Sequence, residues 1–265
     1  MARKGQQLAK LTRPRLHKAV ARERLFAVLD EAREHKPAIC VVGPPGAGKT
    51  TLVASWLDAR GIKGIWYQVD PGDSDLATFF YYLGEAAKTF TRKGQRPLPT
   101  LTPEYLQDVE GFARRFFREL FERLPKGAAL VLDNYQEVVS EQQFHQFLAQ
   151  AVDEVPEGVV LIAISRRDPP DAYARLVANE NVQLVEWDAL KLTLEEARAI
   201  AGFRTRLNDE DLGRLFEKEA GAGRQASPSC LRDLAGMTVR HRAPARAAMR
   251  SLIISRRRSL PRFHA

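Results

Sequence analysis

The sequence predicts an α/β protein: a doubly wound parallel sheet of five strands with helices on both faces. Two observations carry that reading. Short apolar runs of strand length alternate with amphipathic stretches of helical length, in the order βαβαβαβαβ. The first of those runs, Ala38–Val42, leads straight into Gly43-Pro44-Pro45-Gly46-Ala47-Gly48-Lys49-Thr50, a glycine-rich turn followed by helical text. At 265 residues, 45% apolar and 28% charged, the chain has the length and composition for one core plus an appendage.

Taken in order, residues 1–12 are polar and basic and are expected to be a disordered arm. Leu25, Val28, Leu29 and Ala32 then share one face of a helix. Strand Ala38–Val42, the glycine loop and a helix from Thr51 follow. A second strand spans Gly64–Asp70, and Asp73, Ser74 and Asp75 start a helix that runs to about Phe90. Its Phe79-Phe80-Tyr81-Tyr82 run reads as core and core edge rather than as a stacking platform for bases. Beyond a proline-rich loop, a helix is predicted over Glu104–Leu124, with Arg114, Arg115 and Arg118 on its solvated face. Strands follow at Ala128–Asp133, Val159–Ser165 and Val182–Glu186, separated by helices at Gln142–Val152 and Asp171–Ala178. Thr193 with Glu196 forms a capping box for a further helix, and a last one spans about Asp209–Ala220.

The chemistry concentrates at three strand ends. Gly43–Thr50 has the spacing G-x-x-x-x-G-K-T, in which glycines let successive backbone N–H groups face one concavity and cradle phosphate oxygens. The following helix adds its positive end. Lys49 would reach the β- and γ-phosphates and Thr50 would ligate magnesium. An apolar strand ending in Asp133 supplies the acid that holds magnesium, expected beside the loop. The next position is Asn134, an amide that cannot take a proton from water at neutral pH, so hydrolysis is expected to be slow. Glu137 would have to reach around a turn to replace it. Arg166, with Arg167 as alternate, ends the strand after the aspartate and is the candidate γ-phosphate sensor.

Arg13-Pro14-Arg15-Leu16, Val20-x-Arg22-x-Arg24-Leu25, Gly43–Thr50, Trp66-Tyr67-x-x-Asp70-x-x-Asp73, Leu132-Asp133-Asn134-Tyr135 and Ser165-Arg166-Arg167-x-Pro169-Pro170 occur in that order. Together they resemble the P-loop ATPase domain of STAND-class regulators, of the maltose-regulon-activator-like, LuxR-type kind, over roughly residues 12–220. The resemblance implies an AAA+/STAND-like sheet and ATP and Mg2+ as cofactors. It also implies effector-gated self-association, with a sensor and a DNA-binding helix-turn-helix beyond this chain's length. Carried onto these residues, the phosphates fall to Gly43, Pro44, Pro45, Gly46, Ala47, Gly48, Lys49, Thr50 and Thr51, magnesium to Thr50 and Asp133, the chemistry to Lys49, Asp133 and Arg166, and the adenine surround to Val20 and Arg22. The chain departs from the family at Asn134, where a second acid is common, and after Lys218, where a G-W-A-containing lid helix is usual.

The organisation that follows is a basic arm at 1–12, an ATPase domain at 13–190, the start of a helical lid at 191–220 and an Arg-rich tail at 221–265. That tail holds ten Arg, no Lys and one acid, Asp233; its net of about +9 leaves the first 220 residues at −1, although the whole chain is +8. The tail reads as a shifted frame or a truncated gene, or else as a natural basic segment that binds nucleic acid through charge. With two cysteines, no secretory leader and no long apolar run, a cytoplasmic protein without a membrane anchor is expected. The favoured function is the ATP-binding, slowly hydrolysing switch of a signal-responsive transcriptional regulator. The alternative is a stand-alone ATPase acting on nucleic acid through its tail.

Overall fold

The computed structural model describes residues 9–16, 19–138 and 142–204. The helix expected at 209–220 and the Arg-rich tail lie outside the described residues.

Five strands, β1 (Ala38–Val42), β2 (Gly64–Gln68), β3 (Ala129–Asp133), β4 (Val160–Ser165) and β5 (Val182–Val185), form one parallel sheet in the order β2-β3-β4-β1-β5. This is the expected α/β P-loop arrangement, with one refinement. The strand ending in Asp133 is not next to the loop-bearing strand; β4 lies between them, with Val42 opposite Ser165.

Strand alternation assigns side chains to two cores. Ile39 and Val41 face α1 (Glu23–His35) and α2 (Lys49–Ala59), in a cluster with Leu25, Leu29, Leu52 and Trp56. Ala38, Cys40 and Val42 face the other cluster, built from α3 (Leu76–Ala87), α4 (Val109–Phe121), α5 (Gln142–Asp153) and α6 (Ala174–Ala178). Cys40 is one more buried apolar group there, and burial pushes its thiol up to about 12. The second cluster is rich in rings. Phe79 meets Phe144 edge-on at 4.7 Å, and Phe80 meets Phe112 at 5.0 Å and Phe116 at 4.8 Å. Such pairs add about 0.5–1.5 kcal/mol each beyond buried area. Phe79 and Phe80 are thus core, while Tyr81 stays exposed. Two further helices, α7 (Trp187–Leu190) and α8 (Leu194–Arg204), follow β5.

Three local expectations are corrected. The helix expected over 104–124 is broken: a 3-10 turn spans Pro103–Gln107, and α4 starts afresh at Val109 because the Asp108 carboxylate accepts the Gly111 N–H at 2.9 Å. Of the three residues expected to start α3, Asp75 caps it as expected, accepting from the Thr78 N–H, whereas Asp73 does not cap it. Asp73 is fully buried and serves another purpose: it accepts from the Asp70 N–H at 2.9 Å, the Tyr67 hydroxyl at 2.6 Å and the Lys10 ammonium at 2.7 Å. The third correction follows from that contact. Residues 9–12, assigned from sequence to a disordered arm, include a 3-10 turn at Ala9–Leu11. Lys10 is fixed there by both carboxylates, Asp70 and Asp73, and by the Tyr67 and Tyr82 rings at 5.1 and 5.3 Å.

Candidate functional site

The connections out of β1 and β4 run to opposite sides of the sheet: β1 leads to β2 at one edge, β4 to β5 at the other. That switch point leaves a crevice at the carboxyl ends of the strands, where open α/β sheets bind ligands. The crevice here has a volume of about 300 Å³, with the glycine loop, the start of α2, Asp133 and Arg166 among its walls.

The loop is shaped by two glycines and one close packing. Gly46 and Gly48 sit at φ of 80° and 83°, in the left-handed region that other residues avoid. A Cβ on Gly43 would stand 3.0 Å from Leu190 Cδ1, so a larger side chain there would require the Leu190 side chain to shift. Gly48 is the N-cap of α2 and provides no side chain to bond the first turn. The N–H groups of Lys49, Thr50 and Thr51 have no i−4 carbonyl partner; the first helical bond is Leu52 N–H to the Gly48 carbonyl. The loop therefore presents donors and positive potential to the crevice.

Lys49 is buried, and its ammonium donates to the carbonyls of Gly43 at 2.6 Å and Pro44 at 2.9 Å. Burial holds its pKa below the usual lysine value; Arg166 pushes the same way and Asp133 opposes. Asp133 is also buried, and burial raises its pKa; the Thr50 hydroxyl, the Asn134 N–H, Lys49 and Arg166 all act against that rise. The Thr50 hydroxyl donates to Asp133 Oδ1 at 3.0 Å, across the intervening β4. One hydroxyl and one carboxylate at this separation match the habit of magnesium, which takes one or two protein oxygens and completes its shell with phosphates and water. Among the described residues no cluster of three or more His, Cys, Asp or Glu could hold a metal by itself.

The crevice brings together ten of the expected residues: Val20, Arg22, Pro45, Gly46, Gly48, Lys49, Thr50, Thr51, Asp133 and Arg166. Gly43 and Pro44 contribute carbonyls that hold Lys49 rather than forming the wall, and Ala47 is buried in the core below it. Of the two strand-end arginines it is Arg166 that lines the crevice; Arg167 lines a separate small hollow with Cys40, Tyr135 and Tyr173. Glu137 lines a neighbouring depression with Lys10, Gln68 and Asp70, not the crevice. Asn134 borders both hollows and adopts a left-handed backbone at φ 61°.

Arg22 does more than line the wall. Its Nη2 donates to the Leu190 carbonyl at 3.0 Å, the Lys191 carbonyl at 2.9 Å and Glu196 Oε2 at 2.9 Å, so it ties α1 to α8. Its Nε and Nη1 are buried without a hydrogen-bond partner among the described residues. Several wall residues were not singled out in the sequence, Ile200 and Gln136 among them. Ile200 comes from α8, and Gln136 comes from the 3-10 turn after β3. Neither carries a motif signal.

No protein-family model matches the sequence, and no curated protein does. Solved structures do match, at low identity. The Walker-type ATPase PABY2304 of Pyrococcus abyssi aligns with 77% of this chain and 66% of its own, at 14% identity and a TM-score of 0.44. AMPPCP-bound DnaA from Aquifex aeolicus aligns with 76% of this chain and 57% of its own, at 18% identity and 0.39. The Aeropyrum pernix ORC1 protein, solved in complex with DNA, aligns with 68% of this chain and 47% of its own, at 20% identity and 0.42. The chain thus spans less than two thirds of the length of each.

Proposed function

We propose that this chain binds ATP with magnesium and acts as the nucleotide-dependent switch of a signal-responsive transcriptional regulator, hydrolysing ATP slowly. The observation that carries the ATP site is the Thr50–Asp133 hydrogen bond at 3.0 Å, with Lys49 and Arg166 on the walls of the same crevice. Loop N–H groups and Lys49 would hold the phosphates, and Thr50 and Asp133 would hold magnesium. Magnesium, when bound, neutralises charge on the phosphate oxygens. Lys49 exchanges its two loop carbonyls for phosphate oxygens, which stabilise its charged form where burial alone does not. Arg166 would sense the γ-phosphate. Val20 and Arg22 would border the base. Asn134 supports slow turnover, since its amide cannot accept a proton from water.

The switch reading rests on α8. Ile200 lines the crevice and Glu196 of the same helix holds Arg22, so a ligand touching this wall also touches α8, the second helix after the sheet. In this reading residues 13–190 bind the nucleotide, 191–220 begin a lid, self-association is gated by an effector, and the protein works in the cytoplasm. The output would be a change of population between lid positions.

A melting curve with and without ATP–magnesium tests the site. Free ATP at a hundredfold over its Kd should stabilise the fold by about 2.7 kcal/mol. Lys49→Ala should abolish the shift, because it removes the charge facing the phosphates. An unchanged shift in that variant refutes the site.

A further inference from the structure

We propose that Gln136 is the positioning residue for Arg166, an inference that rests on the sensor role assigned to Arg166 above. Gln136 sits in the 3-10 turn that follows β3, and its side chain reaches across to the end of β4. Its Oε1 accepts the backbone N–H of Arg166 at 3.0 Å. Its Nε2 donates to Glu137 Oε1 at 3.0 Å and lies 3.5 Å from Asn134 Oδ1, the outer limit for such a bond.

The chemistry of the partners fixes the orientation of the amide. A backbone N–H can only donate, so the atom facing Arg166 is the oxygen; a carboxylate can only accept, so the atom facing Glu137 is the NH2. A chain of hydrogen bonds therefore runs from the Glu137 carboxylate through the Gln136 amide to the backbone of Arg166. The carboxylate polarises the amide and strengthens its acceptor end.

At the end of β4, the Ser165 carbonyl accepts the Gly43 N–H at 3.3 Å, which ties the strand to the loop after β1. Beyond Arg166, the Arg167 N–H donates to Ser165 Oγ at 3.0 Å, and that hydroxyl donates to the Arg167 carbonyl at 2.7 Å. Those bonds close a turn on itself. Gln136 is what joins the turn to the end of β3, where Asp133 and Asn134 stand. The Arg166 side chain is long and its position depends on where its backbone sits, so a sub-ångström loss here moves a guanidinium meant for one phosphate oxygen. Gln136, Asn134 and Arg166 line the same crevice, so the clip lies within the proposed site.

The test is a double-mutant cycle on Gln136→Ala and Arg166→Ala, read as the ratio of ADP to ATP dissociation constants in magnesium by competition with a fluorescent nucleotide. Arg166→Ala should cut the preference for ATP by about tenfold, the loss of one charge-assisted hydrogen bond. Gln136→Ala should cut it about threefold to tenfold, with ADP affinity within about twofold of the parent. In the Arg166→Ala background, Gln136→Ala should add less than about twofold, because the group it positions is gone. Gln136→Leu keeps most of the bulk but has no acceptor for the Arg166 N–H and should lose the preference as Gln136→Ala does. Losses that multiply in the double variant, an equal loss of ADP and ATP affinity in Gln136→Ala, or a Gln136→Leu variant with the parental preference each overturn the positioning role. A parental ATP preference in Arg166→Ala overturns the sensor assignment and this inference together.

Discussion

The Arg22–Glu196 pair sets a large, checkable energy. The two side chains are only 7% and 10% exposed, and the bond joins residues 174 apart in sequence. Glu196 Oε1 also meets Arg24 Nε at 3.3 Å, and Oε2 accepts the Thr193 N–H at 3.1 Å. Removing one partner of a buried pair leaves the other charge uncompensated and costs about 3–5 kcal/mol. Glu196→Gln keeps the volume and an acceptor for Thr193, and Arg22 keeps its two carbonyls, so the cost should fall near about 3 kcal/mol. Glu196→Ala also loses half of the capping box and should sit toward about 5 kcal/mol. Urea unfolding measures this: with a slope of about 1–3 kcal/mol per molar, the Gln variant should lose about 1 M or more from its midpoint. The sign of the pH dependence is fixed too. Burial raises the Glu196 carboxyl, but its bonds to Arg22, Thr193 and Arg24 and the Arg22 charge outweigh burial and hold it below its ordinary value of 4.5. Its contribution is therefore full above that ordinary value and is lost as pH falls through the lower folded one. The gap between parent and Glu196→Gln should be largest near neutrality and close in acid. A midpoint shift under about 0.3 M, or a gap that widens in acid, refutes the reasoning.

Asn134→Asp should raise ATP turnover, toward the factor of about 10² that a positioned general base supplies, since aspartate tolerates the φ of 61° as asparagine does. Turnover unchanged in a single-cycle assay would show that Asn134 does not limit the chemistry. Lys10→Met should lower stability by about 3 kcal/mol, because it strands the Asp73 carboxylate, which is 0% exposed. A loss under about 0.5 kcal/mol in denaturant melts would argue against the buried pair.

What the sequence revealed was mostly local. The run from Ala38 through Thr50 specifies strand, turn and helix within a dozen residues, and the spacing of Thr193 and Glu196 matches their mutual hydrogen bonds at 3.1 and 3.2 Å. The strand-end Asp133 and Arg166 were legible because each follows an apolar run at the carboxyl end of a parallel strand, where open α/β sheets bind ligands. What was not legible depends on the path of the chain in space. Several crossovers of similar length could place β4 on either side of β3, so the insertion of β4 between β3 and β1 had no signal in the text. Glu196 already had a sufficient local explanation as a capping residue, which hid its buried bond to Arg22. Asp73 was hidden the same way: it looked like a cap and proved to be a counter-ion for a lysine 63 residues away. Asp108 broke a helix whose apolar spacing continued unaltered through it.

The N-terminal segment bears on solubility. β2 is an edge of the sheet, and a bare edge strand offers unpaired backbone groups to any passing chain. The Ala9–Leu11 turn runs beside that strand, and Leu11 and Arg13 border a small hollow with Gly64, Ile65 and Trp66, while Lys10 is locked to Asp70 and Asp73 beyond its end and Arg13 to Asp58. Residues 9–13 thus stand as a guard over part of that edge, held there by side-chain ion pairs. A domain boundary drawn at residue 13, where the motifs begin, would cut away the lysine that fastens this guard. The folded unit is defined by the cover on its edge strand rather than by its first motif.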